Sequence, residues 1–266
     1  MKFRLLFISA VLFLTALGCS LAAAQSPNTY VGRIGRMVSL KVPGGKEIPV
    51  YEVKSGPSKG QIVMLIHGKD GLTKAVKEEA ERIHMACSST VMVVDFFSGL
   101  PTSDTRTSGE RNAEFNAERV RRVTESILDY TGKFGRLVTV GIGTGAKWSQ
   151  FSAAVAGERG YGAILIDGEI HPDTALWKDV YGPVFFCMPG KDAGFPLTAI
   201  RDAKVHLEGM QKSAELSLQP VKSGFYLAEG ETAVGSVIVS SHKEVEKFIN
   251  KCFEVPLRKV PVPAEK

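Results

Sequence analysis

The residues of this chain best placed to do chemistry fall at the ends of its apolar runs. Leu137-Val138-Thr139-Val140 reads as a buried strand, and it feeds Gly141-Ile142-Gly143-Thr144-Gly145. Trp148, Phe151 and Val155 then share one face of a helix. A strand, a sharp turn and a helix, with small residues two places either side of the apex, is the arrangement that lifts a Ser or Cys nucleophile clear of a sheet. Here the apex is Gly143, which has no side chain. Other runs also end in Gly or a polar residue: His67-Gly68, Asp95, Asp167-Gly168, Gly190-Lys191-Asp192 and Glu229-Gly230-Glu231. Covalent acyl transfer needs a nucleophile, a base beside it and an acid that orients the base. The chain offers carboxylates at these positions and leaves the apex bare.

Substitutes for the missing nucleophile are few. Thr144 carries a hydroxyl, but one place off the apex, and reads more simply as a polar residue near a helix start. Its backbone N–H opens the helix after the turn, where N–H groups and the helix dipole favour an anion. Together with a backbone N–H near Lys69, and the His67 loop before it, it can receive a carboxylate or carbonyl oxygen. Of the histidines, His67 reads as structural, and His84 and His206 lie within helical segments. His242 reads as the opening of the last helix. His171 follows a strand end in Asp167-Gly168-Glu169-Ile170-His171-Pro172, and with Glu169 it is a possible accessory group. Glu169, His171, Asp192 and Glu231 show no metal-ligand spacing, so no metal is expected.

The elements that must hold these groups alternate. Apolar runs at Ile62–Ile66, Val91–Val94, Leu137–Ile142, Ala163–Ile166, Val184–Met188 and Phe225–Leu227 have the continuous Val/Ile/Leu character of strands buried on both faces. Helical periodicities lie between or after them: Val76, Ala80, Ile83 and Cys87; Val120, Val123, Ile127 and Tyr130; Ile200, Ala203, Leu207 and Met210; Val245, Phe248, Ile249, Cys252 and Phe253. Ahead of these, Met37–Val42 and Ile48–Val53, joined by Pro43-Gly44-Gly45-Lys46, predict an antiparallel hairpin. The expectation is one α/β domain with a mostly parallel central sheet flanked by helices. In such sheets sites form outside the carboxyl ends of the strands, so the polar residues above converge on one edge.

The ends bound the molecule. Lys2 and Arg4, the apolar stretch Leu5 to Leu17 and the small residues Ala22-Ala23-Ala24 make residues 1–24 a secretory signal, cleaved before Gln25. Export then places the protein outside the cell or in a periplasm. Acylation of Cys19 after Gly18 is the rival processing route. No other stretch is long and apolar enough for a membrane span. Losing Lys2 and Arg4 takes the formal charge from +5 to +3, too small and dispersed to argue for nucleic acid. Residues 25–253 form the domain, and 254–266, with Pro256, Pro261 and Pro263, an extended tail. The mature chain keeps Cys87, Cys187 and Cys252, an odd number of buried-type thiols, which read as structural.

Taken together, these motifs resemble the α/β-hydrolase superfamily, and in particular dienelactone hydrolases. Ile66-His67-Gly68-Lys69-Asp70-Gly71-Leu72 is similar to the superfamily's oxyanion loop. Val94-Asp95-Phe96-Phe97-Ser98-Gly99 resembles the segment that dienelactone hydrolases carry after the next strand. Gly141 to Ala146 lines up with the Gly-x-Cys-x-Gly-Gly elbow, and Pro189-Gly190-Lys191-Asp192 with the acid segment. Tyr226-Leu227-Ala228-Glu229-Gly230-Glu231 looks like the segment that ends in the catalytic histidine. The resemblance spans about residues 35 to 253 and implies an α/β-hydrolase fold, carboxylic ester hydrolysis and no cofactor. Carried over position by position, it puts Gly143 at the nucleophile, Asp192 at the acid and, counted without gaps from Tyr226, Glu231 at the histidine. Two of the three triad positions then hold residues that cannot do the family's chemistry.

Three functional readings stay open. One is a degenerate hydrolase whose cleft holds a small carbonyl or carboxylate ligand or a protein partner. Another is an active ester or lactone hydrolase with a non-standard site. The third is a dinucleotide-binding protein, because Gly141-x-Gly143-x-x-Ala146 follows a strand and Asp167 ends the next one, at the span of a ribose-binding acid. For the leader, intact-mass analysis of the exported protein is expected to give a chain starting at Gln25, and a lipid-modified Cys19 would establish the rival route.

Overall fold

In the computed structural model, residues 34–42, 47–56, 60–97, 115–132, 134–228 and 232–258 are described. The leader, Cys19 and residues 259–266 lie outside them, as do Glu229, Gly230 and Glu231. Eight strands form: β1 (Arg36–Leu40), β2 (Ile48–Val53), β3 (Gln61–Ile66), β4 (Thr90–Val94), β5 (Arg136–Ile142), β6 (Gly160–Ile166), β7 (Val184–Pro189) and β8 (Ala214–Gln219). They make one sheet in the order β1-β2-β4-β3-β5-β6-β7-β8. β1 and β2 pair antiparallel, with Leu40 opposite Ile48, so the expected hairpin is present. β2 also runs antiparallel to β4, and every later pairing is parallel.

Among the described residues five α-helices form: α1 (Lys74–Cys87), α2 (Ala117–Tyr130), α3 (Ala146–Ala156), α4 (Leu197–Gly209) and α5 (Thr232–Glu254). Two of their starts carry side-chain caps. Thr73 accepts from the Val76 N–H at 3.3 Å ahead of α1, and Asn116 from the Arg119 N–H at 3.0 Å ahead of α2. Each satisfies a donor that the first helical turn leaves over. Because strand side chains alternate between faces, the sheet feeds two cores. Val63, Leu65, Val91, Val93, Val138 and Val140 pack against Val76, Ala80 and Ile83 of α1 and Val245, Phe248 and Ile249 of α5. Ile62, Met64, Met92 and Leu137 turn the other way onto α2 and α3. Ile200, Ala203 and Leu207 of α4 close a third cluster with Leu165, Phe186 and Trp177.

Three expectations are corrected. Phe225–Leu227 is not a strand; both Phe225 and Tyr226 are buried, but in a turn beyond β8. The strand is Ala214–Gln219, an edge strand whose Glu215 and Ser217 break the continuous apolar signature of a central one. Tyr130 is exposed, because it sits at the end of α2 and gives its hydroxyl to the buried Glu52 at 2.7 Å. His242 does not open the last helix, which begins ten residues earlier at Thr232.

That histidine joins a polar knot between α1 and α5. Arg82 donates to Glu79 at 2.5 and 2.8 Å and also to Glu246. The Tyr226 hydroxyl donates to Glu79 at 2.8 Å, and His242 Nε2 lies 3.7 Å from the same carboxylate. The knot fixes the segment after β8 to both helices. Removing Glu79 would leave the Arg82 charge largely buried with one carboxylate instead of two. Glu79→Ala is therefore expected to lower unfolding free energy by about 3 kcal/mol, read from urea denaturation.

Candidate functional site

The parallel register sets the order of groups along the carboxyl edge. Ile66 pairs with Gly141 and Ile142 with Ile166, so His67-Gly68, Gly143 and Asp167-Gly168 emerge side by side. Ile166 pairs with Cys187 and Pro189 with Gln219, which brings up Gly190 to Asp192 and then Val221 to Gly224.

Gly143 sits at the apex as expected, with φ +58°. A single 3-10 turn, Gly143–Gly145, comes between β5 and α3. The flanking positions have no room for side chains. A Cβ on Gly145 would lie 2.6 Å from the His67 carbonyl oxygen, and one on Gly141 2.8 Å from Ala146 Cα. Gly168 presses on the same turn, where its Cβ would come within 2.6 Å of Ala146 Cβ. At Gly143 itself the nearest atom to an added Cβ would be Gly68 Cα, at 3.8 Å, an ordinary contact. The apex has space for a side chain and carries none.

His67 belongs to the scaffold of this edge. It is fully buried; its Nδ1 faces the Gly68 carbonyl at 2.8 Å and its Nε2 accepts from the Phe96 N–H at 3.2 Å. The rings of Phe96, Phe97 and Phe115 surround it, and burial holds its pKa below the usual histidine range. Neutral, with both nitrogens committed, it ties the loop after β3 to the end of β4. Lys69 and Thr144 are exposed beside the apex. The Thr144 N–H stands at the start of the turn, where backbone donors have no partner within the helix.

Asp192 is held by hydroxyl and backbone donors. Its Oδ2 accepts from the Ser223 hydroxyl at 2.6 Å and the Ser223 N–H at 3.3 Å, and its Oδ1 accepts from the Gly194 N–H at 3.0 Å. The Ser223 hydroxyl, followed by the Gly194 N–H, holds this carboxyl below its ordinary range. In a triad the acid's partner is the base. Among the described residues the donors to Asp192 are Ser223 and Gly194, while Glu231, which the resemblance puts at the histidine position, lies outside them. No local pattern singles out Ser223, because β8 ahead of it lacks a continuous apolar signature.

A second carboxylate grips the same turn. Asp167, at the end of β6 with φ +50°, accepts from the Gly224 N–H at 2.5 Å. Its other oxygen, Oδ1, is buried with no hydrogen-bond partner. Burial pushes its pKa up to about 6, and the charge of Asp192 adds to the rise. His171 stands apart: its ring packs on Trp148 and Phe151, with centroids 5.7 and 5.6 Å away, and its N–H donates to Gln150 at 2.9 Å. Glu169 is exposed. Cys87, Cys187 and Cys252 are free, buried thiols, each pushed up to about 12 chiefly by burial. Thiols held that far from ionisation are not nucleophiles. Among the described residues no group of three or more His, Cys, Asp or Glu is arranged to hold a metal ion.

The raised Asp167 pKa has a definite sign. A carboxyl that titrates higher in the folded than in the unfolded state contributes stability below about pH 4, and loses it as pH rises through about 6. Asp167→Asn removes the buried charge and keeps the acceptor for Gly224. It is expected to raise the melting temperature relative to wild type at pH 7.5 and to show little difference at pH 4, measured by thermal denaturation.

No protein-family model matches the chain, and no curated protein matches it in sequence. Solved structures do match in shape. A dienelactone hydrolase from Anabaena variabilis ATCC 29413 is 18% identical with a TM-score of 0.59, over 84% of this chain and 98% of that one. A dienelactone hydrolase-like promiscuous phosphotriesterase from metagenomic libraries is 15% identical with a TM-score of 0.64, over 82% and 98%. Carboxyl esterase 2 from the mycorrhizal fungus Tuber melanosporum is 10% identical with a TM-score of 0.60, over 86% and 89%. With its sheet order, its antiparallel hairpin and its apex turn between β5 and α3, the chain has the α/β-hydrolase fold, and its structural neighbours include dienelactone hydrolase-like proteins and esterases.

Proposed function

We propose that this is an exported, dienelactone-hydrolase-like protein that has lost covalent acyl transfer and uses the edge around Gly143 to hold a small carbonyl or carboxylate ligand. The observation that carries the reading is a bare apex beside a carboxylate bonded to a hydroxyl. The apex has φ +58° and room for a Cβ but no side chain, and the acid Asp192 is bonded to a serine hydroxyl. With Gly143 there is no atom to form an acyl bond. Among the described residues the side-chain donor on Asp192 is the Ser223 hydroxyl, which does not accept and return a proton as an imidazole does. What remains is the backbone: the Thr144 N–H, helped by the loop through Lys69, can still receive an oxygen.

Two observations bear on the rival readings. Ser223 is the hydroxyl best placed to act as a non-standard nucleophile, since it lies 2.6 Å from a carboxylate. That carboxylate is held below its usual range, which makes it a poor base for an alcohol proton. The dinucleotide reading needs Asp167 for a ribose, and one of its oxygens is already taken by the Gly224 N–H while the other is buried.

The test is turnover of short activated esters combined with intact-mass analysis after a fluorophosphonate or iodoacetamide probe. Wild type is expected to show no adduct and a rate at the buffer background. Losing a triad nucleophile costs about a million-fold in similar chemistry. The double variant Gly143→Cys, Ser223→His is expected to gain alkylation at position 143. An adduct on Thr144, Ser223 or Cys187 of the wild type, together with robust turnover, would overturn the proposal.

A further inference from the structure

The opposite edge of the sheet, where β5, β6 and β7 begin, carries a surface that the candidate site does not use. Four cations gather there, and each is spent on backbone carbonyls. Arg159 donates to the carbonyl oxygens of Leu128, Gly132 and Gly135 at 2.6, 2.7 and 3.3 Å. Arg258 donates to Glu158, Gly160 and Tyr181 at 3.0, 2.7 and 3.3 Å. Lys212 reaches Trp177, Lys178 and Val180 at 2.6, 2.7 and 2.7 Å. Arg136 holds Phe253 and Val255 at 2.8 and 3.2 Å.

Carbonyls orient these groups but carry no net charge to cancel theirs. Among the described residues, none of the four has a carboxylate within ion-pair distance. Asp129 and Asp179 face Arg159 and Lys212 from farther off, and burial still outweighs them, holding both cations below their ordinary pKa. The result is an edge whose four cations are fixed in place, none of them in direct ion-pair contact with a carboxylate among the described residues.

Three exposed apolar side chains stand among these cations. Phe134, the most exposed large hydrophobic residue among those described at 74%, precedes Gly135, whose carbonyl Arg159 holds. Leu257, 57% exposed, adjoins Arg258, and Tyr181, 51% exposed, has Lys212 Nζ 5.9 Å from its ring centre. They flank the first residues of three neighbouring parallel strands, which lie only about 4.8 Å apart each. Bulky apolar groups interleaved with fixed cations suit a surface that is anionic outside and apolar just beneath. A protein partner of ordinary acidity would match the charge alone.

We propose that this edge, through Phe134, Tyr181 and Leu257 set among Arg159, Arg258 and Lys212, docks on an anionic lipid surface. Docked so, the molecule turns its opposite edge, with Gly143, toward solvent. The inference stands independently of what Gly143 binds.

The test is co-sedimentation of the protein, in the form its cells export, with vesicles of phosphatidylglycerol and phosphatidylcholine or of phosphatidylcholine alone. Comparing variants in the same chain cancels any contribution from the N-terminal segment. Wild type is expected to bind the anionic vesicles, to bind the neutral ones far less, and to detach as salt rises from about 0.1 M to about 0.5 M. Phe134→Ser with Leu257→Ser is expected to weaken anionic binding about ten-fold or more. Val205→Ser, which removes an equally exposed residue on α4, is expected to change nothing. Because all three side chains are exposed, unchanged melting temperatures should accompany these results. Equal binding by the double variant and wild type, or equal binding to neutral vesicles, would overturn the proposal. So would absence of vesicle binding together with self-association that Phe134→Ser abolishes, which would assign the edge to a second copy of the chain.

Discussion

The backbone at residues 141–145 can follow its path only because the surrounding segments come closer than side chains allow. The carbonyl oxygens of Ile66 and His67 sit where a Cβ on Gly145 would be, and the start of α3 sits where one on Gly141 would be. This close packing clamps the loop after β3, the apex and the loop after β6 into a single unit. His67 locks the first of these to β4 from behind, with both ring nitrogens bonded. The precision of the apex is therefore a property of the scaffold. It does not require the side chain that such a turn exists to present.

That independence explains how the site can change character while the fold stays the same. At the apex, substituting glycine relieves the cost of a left-handed residue, about 1–2 kcal/mol for any L side chain there. On the acid side, the Ser223 hydroxyl and N–H keep Asp192 ionised, and the Gly224 N–H holds Asp167. The turn after β8 is thus gripped by two carboxylates from two different strands. It is gripped again from behind, where Tyr226 enters the Glu79–Arg82 knot. The segment after β8, as far as Tyr226, is thereby held from both sides.

The sequence made the frame legible because central parallel strands are buried on both faces and read as unbroken Val/Ile runs. β3 to β7 all announced themselves in this way. β8 did not, because an edge strand alternates, and Glu215 and Ser217 in its middle look like loop residues. The buried Phe225 and Tyr226 supplied a false apolar run in its place. The apex was legible from glycine spacing, since close approach leaves a compositional trace. The bond from Ser223 to Asp192 was not, because a hydrogen bond between the loops after β7 and β8 has no local signature.

Asp167 shows the same limit from the other side. From the sequence it was an acid at a strand end, at the span of a ribose ligand. In the fold it is a strained residue with one oxygen on Gly224 and the other buried alone. An unpartnered buried carboxylate oxygen costs folding free energy at neutral pH, and the cost falls only when a proton or another donor arrives. Nothing in the packing of β6 demands an ionisable group there, since an amide would keep the bond to Gly224 without the charge. The scaffold therefore sustains a destabilising carboxylate beside the apex. Whatever the edge now binds, its electrostatics are set by two acids and one turn, and a ligand bringing a hydrogen-bond donor to Asp167 would relieve the least favourable contact in the site.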